Sequence, residues 1–114
     1  MKTASLVNNI TFHETRPTIQ VLLDTDAGKE IRIAFKKGQE MKRHQTPFPI
    51  VVEIFEGNID FGVNDEERLN LKKGDLIALK GSVPHDLIAK EESIVRLSLN
   101  KADSAGRVKK VAKG

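Results

Sequence analysis

What most constrains this chain is the length of its apolar runs, which are short, rich in β-branched residues and cut at close intervals by turn-forming residues. Ile19–Leu23, Glu30–Phe35, Ile50–Phe55, Asn58–Val63, Leu76–Leu79, Asp86–Ala89 and Ser93–Leu99 each carry Ile, Val, Leu or Phe at strand density, and each is too short for an ordinary helix. Between them lie Asp26-Ala27-Gly28, Lys37-Gly38, Glu56-Gly57-Asn58, Asn64-Asp65, Lys73-Gly74-Asp75 and Gly81-Ser82, which are the residues of hairpins and tight reversals. Many strands with regular turns and no intervening amphipathic helical segment predict an all-β barrel or sandwich of roughly eight to ten strands and argue against α/β units.

Alternation assigns faces. Ile31, Ile33 and Phe35 share one side of their strand, with Glu30, Arg32 and Ala34 on the other. In Ile50–Phe55 both sides are apolar except at Glu53: Ile50, Val52 and Ile54 face one way, Val51 and Phe55 the other. A strand apolar on both sides is covered on both sides. The second cover is expected from another subunit, giving a homodimer, or from an N-terminal strand drawn from Ser5 to Phe12.

At 114 residues the chain is expected to form one domain. It has no cysteine, which excludes disulfides and thiolate metal sites and leaves stability to apolar packing. Met1 to Asn9 has no signal-peptide pattern, and no run approaches the roughly 18 apolar residues of a membrane span, so a soluble cytoplasmic protein without membrane contact is expected. The charge is unevenly spread. Lys101, Arg107, Lys109, Lys110 and Lys113 against Asp103 leave residues 101–114 at +4, so of the net +3 the first hundred residues carry −1. The body therefore has no basic excess for nucleic acid. The basic tail, 101–114, with Gly106 and Gly114, is expected to be a disordered, solvated end to a domain spanning 1–100.

Two segments resemble the paired motifs of the cupin superfamily. The first family pattern, with glycine, two histidines, a glutamate and a final glycine, can be laid on Gly38, His44, Thr46, Ile50 and Gly57; the spacings from Gly38 to His44 and from Ile50 to Gly57 are kept. The second can be laid on Gly74, Lys80, Ser82, His85 and Ala89, with the spacing from Gly74 to His85 kept. Phe55-Glu56-Gly57, Lys73-Gly74-Asp75-Leu76-Ile77 and Val83-Pro84-His85 are similar to the family's turn and strand wording, and the resemblance runs from about Ile31 to Leu99. It implies a small single-domain cupin, a double-stranded β-helix (jelly-roll) barrel. It also implies a metal site in the barrel, built in metal-binding members from three histidines and one carboxylate. By that carry-over His44 and His85 remain as metal ligands, while Thr46 stands at the second histidine and Ile50 at the glutamate. Two imidazoles without a carboxylate leave a divalent ion under-coordinated, so the expected cofactor is at most a weakly bound divalent transition metal at a degenerate site. Glu40, which shares parity with His44, and His13 are the conceivable replacement ligands.

Two functions follow. One is a ligand-binding or sensing barrel, its interior lined by Ile33, Phe35, Ile50, Val52, Ile54 and Leu87, with His44, Thr46 and His85 as the polar groups that orient a small molecule. The other is a metal-dependent enzyme, a dioxygenase or isomerase, in which His44 and His85 hold an ion and substrate or water completes its coordination. The missing carboxylate favours the first. Asp86, next to His85, is expected to point outward, and Phe48 to pack between its flanking prolines.

Overall fold

A computed structural model describes residues 1–65 and 67–114. The runs read as strands are strands: β1 (Thr18–Thr25), β2 (Gly28–Phe35), β4 (Ile50–Glu56), β5 (Asn58–Val63), β7 (Leu76–Leu79), β8 (His85–Ala89) and β9 (Ser93–Leu99). Two more, β3 (Glu40–His44) and β6 (Glu67–Lys72), have sequences too polar to be read that way. They are the two edges of the sheet ordered β3-β8-β5-β6, where charged side chains guard the open backbone. The second sheet has the order β1-β2-β9-β4-β7, and all pairings are antiparallel. The chain is thus mostly β, as two facing sheets with one core between them.

The core is made by alternation. Ile31, Ile33 and Phe35 of β2, Ile50, Val52 and Ile54 of β4, Ile59 and Phe61 of β5, and Val95, Leu97 and Leu99 of β9 are all buried in one cluster. At the β4–β5 reversal Gly57 has φ 98°, and a Cβ there would collide with Ser93 and approach the Glu92 carbonyl oxygen to 2.6 Å. Only glycine fits that turn.

Two expectations are corrected. Ser5 to Phe12 forms no strand. It is an irregular segment laid on the outside of β2 and pinned by Arg32, which is only 3% exposed. The Arg32 guanidinium donates to the carbonyls of Ser5 (3.2 Å), Asn8 (2.9 Å) and Asn9 (3.1 Å) and to Gln20 Oε1 (2.6 Å). A buried charge is tolerable only with such a full set of acceptors, and the run of carbonyls it requires excludes a regular ladder.

The second correction concerns residues 101–114. They hold helix α1 (Ala105–Ala112), with Ser104 as N-cap accepting from Arg107 N at 3.2 Å. Val108 is 1% and Ala112 5% exposed. α1 packs on both β1 and β3, an edge strand of each sheet, and so bridges the seam between the two sheets. The apolar residues of this segment are few, but Ala105, Val108, Val111 and Ala112 recur at helical spacing and make one packed face, which outweighs the composition.

Candidate functional site

His44 and His85 are directly opposed across the β3–β8 pair. Met41 and His44 both face inward although they are three positions apart, because the register shifts between them; this bulge re-aims the histidine. The two imidazoles meet edge to face with centroids 4.3 Å apart, and His85 stacks on Phe61 at 5.8 Å. Each Nδ1 lies on a carbonyl of its own chain, Lys42 O at 2.6 Å for His44 and Val83 O at 2.9 Å for His85. A carbonyl cannot donate, so Nδ1 carries the proton in both rings and Nε2 the lone pair. Among the described residues no protein group takes up either Nε2. Among the described residues no buried polar side-chain atom is left unpartnered either, so both lone pairs open onto free space.

That space is a cavity of about 20 Å³, lined by His44, His85, Ile33, Met41, Ile50, Val52, Leu87, Val95 and Leu97, with Arg107 and Val108 of α1 closing it. It is room for about one water. Burial is the main force on both histidines and lowers their pKa, to about 4 for His44, with the Arg107 charge adding to it. Both rings are therefore neutral at pH 7.

Of the residues singled out in the sequence, His44, Ile50, Val52, His85 and Leu87 meet around this one cavity, and Ile33 with them. Phe35 and Ile54 are fully buried in the core but do not line it. Thr46 is not among the lining residues. β3 ends at His44, so strand parity no longer governs Thr46, whose hydroxyl donates to Asp103 Oδ2 at 2.8 Å. Asp103 is buried and bidentate with Arg107, Nε to Oδ1 and Nη2 to Oδ2, both at 2.8 Å. Arg107, Thr46 and the Ser104 N–H hold the Asp103 carboxyl below its usual range against the opposing cost of burial. Asp103, Arg107 and Val108 lay in the segment expected to be disordered. The signal that could have found them is an acid and an arginine at i,i+4 around the capping residue Ser104. Glu40 and His13 are exposed, and His13 lies in a different cleft. Asp86 points outward, as alternation requires, into a fork of Arg68 at 3.0 and 2.7 Å.

No protein-family model matches the sequence, and no curated protein matches it. Solved structures do. An RmlC-like cupin from Desulfovibrio desulfuricans superposes with a TM-score of 0.81 at 20% identity, over 89% of this chain and 97% of that one. The chain has the cupin fold. A conserved double-stranded β-helix protein from Klebsiella pneumoniae gives 0.79 at 17% identity, over 91% and 94% of the two chains. KdgF from Halomonas sp. gives 0.64 at 17%, over 70% and 76%.

The cupin fold brings with it the question of a metal. The donors present do not fit one as a resident cofactor. Among the described residues there is no group of three or more histidine, cysteine or carboxylate side chains about a common point. Ile50 presents an alkyl wall, Thr46 and Asp103 are spent on each other, and the Arg107 cation lines the same cavity. Two imidazoles and a guanidinium offer too few ligands and the wrong charge to a divalent ion.

Proposed function

We propose that the chain is a small-molecule binding or sensing barrel that works without a resident metal. The observation that carries this is the pair of neutral imidazoles. Their rings are held by backbone anchors on Nδ1, and their Nε2 lone pairs open into a cavity whose other lining residues, Arg107 of α1 apart, are apolar, as expected of a site with greasy walls and a few oriented polar contacts. The matching ligand presents one or two O–H or N–H donors to His44 and His85 on a mainly apolar body that Ile50, Val52 and Leu87 would surround.

The test is a thermal-shift and calorimetric screen of small hydroxyl- and amine-bearing compounds, run with elemental analysis of untagged protein. A compound that binds 1:1 to wild type and fails to bind His44→Ala and His85→Ala is the expected result. A stoichiometric transition metal would overturn the reading in favour of a metal-dependent enzyme, and a screen without any histidine-dependent binder would also count against it.

The same reading includes a homodimer. Val51 is 41% and Leu76 65% exposed, and they share the outer side of the β4–β7 pair with half-buried Phe55. Among the described residues this face keeps Val51 and Leu76 exposed, whereas the outer side of β2 has the N-terminal segment. A second copy is the cover we assign to it.

A further inference from the structure

The cavity beside His44 and His85 has room for about one water, so a ligand of the kind proposed above cannot enter while α1 is in place. The lining strands belong to two hydrogen-bonded sheets, and moving any of them breaks a ladder. α1 is different. It is eight residues long with Gly106 in its first turn, too short to be stable in isolation, and it sits in the seam through Val108 and Ala112. Its root is the turn at Lys101 and Ala102, where Lys29 Nζ donates to the carbonyls of Lys101 (3.1 Å) and Asp103 (2.9 Å).

On its far side the helix is not packed flush. A cleft of about 220 Å³ separates Lys109, Ala112 and Lys113 from Arg16, Pro17 and Ile19. Among the described residues neither Arg16 nor the two lysines has a carboxylate within ion-pair distance, so like charges face one another across this cleft. Among the described residues, the side-chain bonds that tie α1 to the barrel are those of Lys29 at its root and the bond from Thr46 to Asp103, which in turn pairs with Arg107 within the same segment.

We propose that α1 is a gate. It swings out of the seam between β1 and β3 about the turn at Lys101 and Ala102 to admit ligand to His44 and His85, and Thr46, Asp103 and Arg107 are its latch. The ligand's identity rests on the reading in the preceding section; the opening itself does not. An open gate removes Arg107 and Val108 from the wall and joins the 20 Å³ cavity to solvent along the seam.

The chain has no cysteine, so a single introduced thiol reports access without background. Val95→Cys places it in the cavity wall, and Ile59→Cys places it at an equally buried core position that does not line the cavity. Labelling with a small methanethiosulfonate reagent is followed in the full-length protein over low denaturant concentrations. The expected result is that Val95→Cys reacts at least about tenfold faster than Ile59→Cys, at a rate nearly independent of denaturant, as local opening requires. Asp103→Asn should then raise the Val95→Cys rate by about another tenfold and leave Ile59→Cys unchanged, since it breaks a charge-assisted latch. Equal rates at the two sites with the same steep denaturant dependence would mean entry only by global unfolding, and would overturn the gate. Acceleration of both sites together by Asp103→Asn would likewise reduce the latch to a general structural contact. Neither outcome touches the ligand screen, and a gate that opens in a protein with no histidine-dependent binder would leave the gate standing and remove only the ligand.

Discussion

The interior has two parts built on different principles. Away from the cavity, Phe35, Ile54 and Ile59 are completely buried and meet only because strands alternate and sheets face each other. Around the cavity, closure depends on residues far apart in the chain: a bulge turns His44 inward, and a helix from the last ten residues brings Arg107 and Val108 over it. The first part is secured by ladder hydrogen bonds and close packing, the second by one small helical face and one side-chain latch. A barrel assembled this way can loosen at the seam under α1 without loosening where the two sheets pack.

The largest expected effect tests the packed half. Phe35→Ala removes a fully buried ring from the core without touching the cavity and should cost about 4 kcal/mol, seen as a lowered denaturant midpoint at unchanged slope. A loss below about 1 kcal/mol would mean this half is no more tightly packed than a surface.

Deleting residues 101–114 tests the other half. The sequence alone predicted no change; the buried Val108 and Ala112, with the Asp103 latch, now predict a loss of about 3 kcal/mol while the strand signal in circular dichroism persists. If the truncated chain melts like the full one, α1 contributes nothing and the two halves do not differ.

How legible these parts were in the sequence follows from the same contrast. Period-two alternation is local, so Ile31, Ile33 and Phe35 announced the core, and turn chemistry announced Gly57 and Gly74. β3 and β6 were missed because edge strands suppress the apolar pattern that identifies interior ones. That His44, His85, Ile50, Val52 and Leu87 would line one interior space could be read, since motif spacing and parity are again local. Thr46 was expected with them and lies outside the lining, bonded to Asp103, because nothing local says that β3 ends at His44. Asp103, Arg107 and Val108 were missed because their role depends on a docking surface made by β1 and β3, which no reading of residues 101–114 alone contains.

The comparison can be sharpened by pH, because titratable groups sit on one side of it only. His44 titrates near 4 in the folded chain rather than at its ordinary 6.5, and His85 is lowered as well. Between these values the unfolded chain binds protons that the folded chain refuses, so stability falls as pH falls from about 6.5 toward 4 and is unaffected above that window. The loss from pH 7 to pH 5 should be about 1 kcal/mol from His44, allowing for the part of its ring that solvent still reaches, with His85 adding to it in the same direction. In the double variant His44→Gln with His85→Gln this slope should flatten. If wild type and variant lose stability in parallel over this range, the two rings are not buried as neutral bases.

The smallest expected effect on stability lies outside both halves, on the exposed apolar face of β4 and β7. Val51→Asp places a carboxylate where the side chain already meets solvent in the single chain, so the folding stability of a monomer should change by no more than about 0.5 kcal/mol. In a dimer the same change buries an unpaired charge against a partner's apolar residues and costs association far more than folding. Sedimentation at micromolar concentration separates the cases. A wild-type dimer that Val51→Asp converts to a monomer of nearly equal unfolding midpoint at high dilution would assign the face to a second copy. A wild-type chain that sediments as a monomer, unchanged by the substitution, would leave Val51 and Leu76 as ordinary surface residues.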